Sequence, residues 1–186
     1  MINVLHLTDP HLFADRSGEL RGTATHASLR SVLDHYLEGD WQADIALVTG
    51  DLIHDDSAEA YDQFAGLLGS LGLPVYCLPG NHDIRGLMRS KLGKPRFHYC
   101  EAFEADNWLV VSLDSCVSGQ AGGHVAAAEL DRMDREIGAA SAANVMVCLH
   151  HPPVLMDSRW LDSVGLDNRE ELLQRVAASG KVRLVV

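Results

Sequence analysis

What this sequence has little of narrows its function before any motif is considered. Basic residues are scarce: 15 Lys and Arg stand against 26 Asp and Glu, for a formal net charge of -11. A chain this acidic repels the phosphates of a long nucleic acid, so non-specific DNA or RNA binding is not expected. A small anionic substrate stays open, because a bound metal ion reverses the local field. The segment Met1-Ile2-Asn3-Val4-Leu5-His6-Leu7 has no basic stretch, and its apolar run is too short for a signal peptide or a membrane span. No membrane partner is therefore expected, and the expected location is cytoplasmic. Cysteine is also sparse. Cys77, Cys100, Cys116 and Cys148 form no CxxC pair, which argues for reduced, packed thiols over a disulfide framework or a zinc knuckle. There is no repeat, low-complexity tract or long linker.

What is present is enough for one domain with a sizeable core: 186 residues, 47% of them hydrophobic. Short β-rich runs occur at Val4–Leu7, Ile45–Val48, Val75–Leu78, Leu109–Leu113, Val145–Leu149 and Val182–Val186. Helical patterns lie between them. Leu29, Val32, Leu33, Tyr36 and Leu37 share one face, closed by Gly39. Asp56-Ser57-Ala58-Glu59 has the form of a capping box ahead of Tyr61, Phe64, Leu67, Leu68 and Leu71. A third helix is expected near Ala126–Ile137. A fourth is expected to be capped at Asn168-Arg169-Glu170-Glu171 and to end near Gly180. The stretch Phe97–Phe103 is ambiguous and could pair as an extra strand. Strands alternating with helices imply an α/β layered domain.

Several of the apolar runs lead directly into metal-ligating residue types. The first is followed by Thr8-Asp9-Pro10-His11, the second by Thr49-Gly50-Asp51, the third by Pro79-Gly80-Asn81-His82-Asp83. Leu109–Leu113 leads to Asp114, and Val145–Leu149 to His150-His151-Pro152-Pro153. In open α/β sheets, sites form where loops converge at the carboxyl ends of strands. Asp9 and His11 are two residues apart and would face one side of an extended segment. Gly50 and Gly80 allow close backbone approach for Asp51 and Asn81. An Asn ligand supplies a neutral oxygen, which keeps the site from becoming too anionic for a phosphate. Mixed oxygen and nitrogen donors without thiolate suit Mn, Fe or Zn better than Ca or copper(I). A lone D-x-H, G-D or N-H-D is an ordinary turn; their joint occurrence, each after a strand, points to a metal site.

The set D-x-H, G-D, G-N-H-D and a strand ending in His resembles the metallophosphoesterase (calcineurin-like phosphoesterase) superfamily, and most closely its bacterial class III cyclic-AMP phosphodiesterases. The residues carrying this resemblance are Leu7-Thr8-Asp9-Pro10-His11-Leu12-Phe13, Thr49-Gly50-Asp51-Leu52, Leu78-Pro79-Gly80-Asn81-His82-Asp83 and Leu149-His150-His151-Pro152-Pro153, with softer similarity at Trp160-Leu161-Asp162. The resemblance implies an α/β sandwich of two sheets flanked by helices, spanning residues 1–186. It implies two divalent metal ions. Asp9 and His11 would bind the first, Asp51 would bridge both, and Asn81 and His150 would bind the second. Water activated between the metals would open a 3',5'-cyclic nucleotide, cyclic AMP giving AMP. Asn81 and His82 would contact this small-molecule substrate. His82 would stabilise the transition state or protonate the leaving 3'-oxygen, and Asp83 would orient His82 or cap a helix. His151, pointing away from His150 on an extended strand, would pack or hydrogen-bond nearby. His54 follows Gly50-Asp51 closely enough to touch substrate but is expected to serve the loop, and Asp55 to support a ligand from behind. Asp114 is expected to be structural. A homodimer is compatible with the family. Other small phosphodiesters or nucleotides are the alternative substrates, and a catalytically impaired binding domain is the non-enzymatic alternative.

The family pattern carries one further motif, G-H-x-H after another apolar strand, and no G-H-x-H occurs in these 186 residues. Gly123-His124-Val125-Ala126 has only its first histidine. By the resemblance, the missing histidines would complete both metals, and Val182–Val186 would be the strand that leads to them. The chain thus reads as an N-terminal portion of such a domain, with an exposed strand edge prone to pairing. The expected outcome for the isolated 186-residue chain is weak metal binding and little or no turnover of cyclic AMP. Metal analysis of the purified chain with a hydrolysis assay checks this, and full turnover would overturn it.

Overall fold

The computed structural model describes residues 2–186, which form two compact units, residues 2–99 and Cys100–Val186. The first unit is built on a sheet of four parallel strands in the order β1-β4-β5-β6: β1 Val4–Leu7, β4 Ile45–Thr49, β5 Val75–Leu78 and β6 Phe97–Tyr99. A small antiparallel hairpin, β2 Glu19–Leu20 and β3 Thr23–Ala24, precedes helix α1 Thr25–Glu38. Helices α2 Ala58–Gly69 and α3 Arg85–Leu92 complete the unit. Strand β4 is buried along its whole length, as a central parallel strand covered on both faces must be. The core joins Val48 and Cys77 of the sheet to Leu33 of α1, Tyr61, Phe64 and Leu68 of α2, and Met88 of α3.

The expected apolar face of α1 is narrower than its sequence suggests. Leu29 and Leu33 are buried, but Val32 and Leu37 are about half exposed. Helix α2 begins at Ser57, whose hydroxyl accepts from the Ala60 amide (3.1 Å). The group in third position is thus Ala60, so Ser57 is a simple N-cap without the reciprocal Glu bond of a capping box. Helix α3 has too few apolar residues to stand out in the sequence, burying only Met88 and Leu92.

The second unit holds a mixed four-stranded sheet, order β10-β9-β8-β7: β7 Ala102–Ala105, β8 Trp108–Ser112, β9 Asn144–Cys148 and β10 Val182–Val185. β7 and β8 form an antiparallel hairpin, while β8, β9 and β10 run parallel. The ambiguous stretch Phe97–Phe103 therefore divides. Its first half pairs with β5 in one unit and its second half begins the hairpin of the other, with Cys100 in the left-handed region between them (φ 46°). Helices α4 Ala127–Ala139, α5 Arg159–Ser163 and α6 Arg169–Ser179 belong to this unit. Leu130, Met133 and Leu172 pack on Val111, Val145 and Val147. Gly180 ends α6 in the left-handed conformation (φ 63°), as expected of a C-terminal glycine.

All four cysteines are thiols. Burial pushes the Cys148 thiol up to about 12, so it is inert at neutral pH. Among the described residues, no helix is long and apolar enough to cross a membrane.

Asn168 departs from the capping role expected of it. Its side chain makes no cap bond. Instead Oδ1 accepts from the Val125 amide (3.1 Å) and Nδ2 donates to the Val125 carbonyl (2.9 Å), imitating a strand partner. Asn168→Asp separates the two roles, because Asp caps helices as well as Asn does. The expected result is a loss of about 1–3 kcal/mol in denaturant unfolding, since Asp lacks the donor and sets a carboxylate against a carbonyl. Unchanged stability would restore the capping role.

Candidate metal centre

Three loops of the first unit leave the carboxyl ends of the adjacent parallel strands β1, β4 and β5. The pairing of β1 with β4 continues past the strands into the first two loops. Asp9 N–H donates to the Gly50 carbonyl (3.1 Å), His11 N–H to Asp51 (2.9 Å), Leu12 N–H to Leu52 (3.0 Å), and His54 N–H back to Leu12 (2.8 Å). The loops are not extended, contrary to the expectation for Asp9 and His11. Asp9 (φ 54°), His11 (φ 44°) and Asp51 (φ 50°) all occupy the left-handed region. That conformation costs a non-glycine residue about 1–2 kcal/mol, and such outliers concentrate at functional sites. The Asp9–His11 convergence therefore comes from this paired, left-handed backbone and not from strand alternation.

The side chains meet accordingly. His11 Nε2 lies 3.6 Å from Asp9 Oδ1 and 3.5 Å from Asp51 Oδ2. These separations are too long for hydrogen bonds: the groups face one another without closing on one another. Asp9, His11 and Asp51 each offer a ligand atom within 4.8 Å of the others. Asp51 is the most enclosed, its side chain 5% exposed. Burial pulls the His11 imidazole down, but the carboxylates of Asp9, Asp51 and Asp83 outweigh it, and the net shift is upward.

The third loop closes on the second. His82 N–H donates to Asp51 Oδ1 (2.9 Å). Gly80 lies so close that a Cβ there would overlap both the carboxylate and the amide of Asp51. Asn81, half-buried, sits between these two residues. Asp83 neither orients His82 through a side-chain bond nor caps α3, whose N-cap is Ile84 with no side-chain bond. Its carboxylate turns inward as a bracket, accepting from Gly80 N–H (2.8 Å), Leu52 N–H (3.1 Å) and Tyr61 O–H (2.9 Å). Desolvation raises its pKa to about 6, against the pull of those donors. Tyr61 in turn accepts from Ile84 N–H (2.9 Å).

His54 belongs to this cluster, although its sequence position favours a loop role over contact with substrate. Its ring stacks on His82 (4.8 Å between centroids, 25° between planes) and meets His11 edge-on. His11, His54 and His82 form a second group of ligand atoms within 4.8 Å. The signal was its place three residues after Asp51, where the continued parallel pairing bonds its amide to the Leu12 carbonyl. Asp55 does not support a ligand from behind, contrary to expectation. It clamps the first loop to the second by accepting from Ala14 N–H (2.7 Å) and Ser57 O–H (2.5 Å).

In the second unit, His150 follows β9 by two residues and is half-buried. His151 is buried, with Nδ1 2.8 Å from Ser115 Oγ, and a Cβ on Gly123 would overlap its ring. Asp114 accepts from Cys116 N–H (3.0 Å) in a local turn. His124 pairs with Asp167 at the surface (2.7 Å).

The calcineurin-like phosphoesterase family model matches residues 2–186. The chain belongs to the calcineurin-like phosphoesterase family. It is 34% identical over 187 residues to a 3',5'-cyclic adenosine monophosphate phosphodiesterase, CpdA, of Haemophilus influenzae, covering all of this chain and 68% of that relative. A 3',5'-cyclic-nucleotide phosphodiesterase of Nostoc, alr5338, is 33% identical over 185 residues, covering 70% of its length. The crystal structure of TT1561 of Thermus thermophilus superposes with a TM-score of 0.68 at 14% identity, covering 99% of this chain and 81% of that one. At that identity the likeness speaks for the fold alone. Calcineurin-like phosphoesterases use a dimetal centre. The residues here could hold a metal ion: two carboxylates and an imidazole converge, with Asp51 cradled against a glycine that admits no side chain.

Gly80→Ala is expected to displace Asp51 and lower metal affinity by about 10- to 100-fold, the usual cost of disturbing a ligand's support. Titration with Mn or Zn followed by calorimetry measures it, and unchanged affinity would mean that Asp51 tolerates the shift.

Proposed function

We propose that this protein is a cytoplasmic, metal-dependent phosphodiesterase acting on 3',5'-cyclic nucleotides, with cyclic AMP as substrate and AMP as product. The observation that carries the reading is the convergence of Asp9, His11 and Asp51 in left-handed loops at the ends of adjacent parallel strands, with the His82 amide bonded to Asp51. The names of the Haemophilus and Nostoc relatives support the substrate class.

Asp9, His11 and Asp51 are the proposed metal ligands in the first unit, with Asn81 beside them. His150 joins the set on its sequence motif, Leu149-His150-His151-Pro152-Pro153 after a parallel strand. Their mixed oxygen and nitrogen donors suit Fe, Mn or Zn. When bound, two such ions neutralise charge on the phosphoryl oxygens and lower the pKa of water. The chain's own part is to hold and protonate. Asp51 accepts from the His82 amide, and the bare Gly80 leaves the space it occupies, so its carboxylate is positioned before substrate arrives. Asn81 presents a neutral amide to the phosphate without adding negative charge. The His82 imidazole, stacked on His54 and edge-on to His11 (5.0 Å), delivers a proton to the leaving 3'-oxygen. The stack holds that ring in one orientation, as a proton donor needs.

The test is hydrolysis of a panel of cyclic nucleotides beside glycerophosphodiesters, before and after chelation. Whatever turnover of cyclic AMP the 186-residue chain retains should be lost with the metal and regained on adding Mn or Fe. His82→Ala should lower kcat by about 10²–10⁴-fold at unchanged metal content. Preference for glycerophosphodiesters would overturn the substrate class, and an active metal-free enzyme would overturn the mechanism.

A further inference from the structure

Three imidazoles carried by three different loops meet beside the carboxylates. His11 follows β1, His54 follows β4 and His82 follows β5. Each offers a nitrogen within 4.8 Å of the others, and all three are half-buried, open to an ion from solvent. The backbone beneath each ring is fixed. The His11 amide donates to the Asp51 carbonyl (2.9 Å), the His54 amide to the Leu12 carbonyl (2.8 Å) and the His82 amide to Asp51 Oδ1 (2.9 Å). The rings are held too. His54 packs on Phe13 (5.0 Å between centroids) and on His82 (4.8 Å), and His11 stands edge-on to both histidines.

His54 Nδ1 and His11 Nδ1 lie 3.4 Å apart. That is longer than an ordinary hydrogen bond. It matches the spacing of two donors on one tetrahedral ion, about 3.3–3.4 Å for metal–nitrogen bonds of about 2.0–2.1 Å. His11 thus has two edges and two sets of neighbours: Nε2 faces Asp9 and Asp51, and Nδ1 faces His54. A neutral imidazole carries its free lone pair on one nitrogen and a proton on the other. As a neutral ring, His11 therefore serves one group at a time. The two groups differ in chemistry. Asp9, His11 and Asp51 offer mostly oxygen, which suits Mn, whereas His11, His54 and His82 offer nitrogen alone, which suits Zn or Cu.

We propose that His11, His54 and His82 form a separate site for a nitrogen-preferring divalent cation, zinc above all, which competes with the carboxylate group for His11. Binding needs all three rings neutral, so any proton they hold at the donor nitrogens goes to solvent. His54 makes this site, because it lies outside the ligand set proposed for the catalytic metals. The site has a consequence for activity. Zinc there fixes the His82 ring as a ligand and withdraws it from the leaving 3'-oxygen, so the cation inhibits. That consequence rests on the phosphodiesterase reading above; the site itself does not.

Side-chain nitrogen NMR spectra of the histidines, followed while zinc is added to the full chain, test the site. Zinc should shift His11 Nδ1, His54 Nδ1 and one nitrogen of His82 together. His54→Phe keeps an aromatic ring in the stack and removes the donor. It should abolish the zinc shift at His82 and move the shift at His11 from Nδ1 to Nε2. His82→Ala should likewise abolish the shift at His54, which guards against a packing fault peculiar to one variant. A zinc shift confined to His11 in the unaltered chain, or a shift at His82 that survives His54→Phe, would overturn the site. For the inhibition, each protein is assayed on cyclic AMP with Mn present, against its own zinc-free rate. The zinc concentration that halves the rate should rise by at least about tenfold in His54→Phe, the smaller cost usual for disturbing a metal's surroundings. Equal sensitivity would overturn the inhibitory role. Absence of turnover counts against the inhibition and the phosphodiesterase reading alone, and the spectra still decide the site.

Discussion

The candidate centre depends on parallel pairing that does not stop where the strands do. The bonds from Asp9, His11 and Leu12 to Gly50, Asp51 and Leu52 carry the β1–β4 register into the loops. They hold three ligand-type residues in a backbone region that each would leave if released. At about 1–2 kcal/mol per residue, that strain is a sizeable fraction of the stability of an ordinary domain, about 5–15 kcal/mol. It persists because the surroundings over-determine it. Leu12, Leu52 and Ile53 are fully buried beside these residues, so the loops are anchored by core packing on one side while presenting carboxylates and imidazoles on the other.

A second constraint reinforces the first. Asp83 accepts from the loop after β4 through Leu52, from its own loop through Gly80, and from α2 through Tyr61. One carboxylate thus locks two loops and a helix into a single polar network, where each member depends on the others. The cost is electrostatic, because desolvation and Asp51 both raise the Asp83 pKa. A cation bound among Asp9, His11 and Asp51 would ease that repulsion, which makes the network a natural companion of a metal centre.

Much of this was legible in the residues. The strands were, because they read as short, mostly apolar runs bounded by turn residues, and β1 and β5 fall at the expected residues. The loop residues that gather at the candidate centre were, because Gly50 and Gly80 mark where backbone turns tightly beside Asp51 and Asn81. Helix α3 and the β2–β3 hairpin were not, because one buries two apolar side chains and the other has two residues per strand. Val32 and Leu37 misled for the opposite reason: apolar periodicity marks what can be buried, not what is.

The sequence by itself determined the family, the alternation of strand and helix, and which residue types stand at the strand ends, since these follow from local pattern and motif spacing. Only the tertiary structure decided what those residues do for one another. His54 joins His11 and His82, Asp55 clamps two loops, Asp83 becomes a bracket, and Asn168 imitates a strand. Each outcome hangs on a partner distant in the chain, brought close by sheet register and helix packing, and no local pattern encodes that distance. Arg21 makes the same point from the other side. Its side chain looks like an ordinary surface charge in the sequence, and only its left-handed backbone beside a cavity that reaches Asp9 and His11 sets it apart.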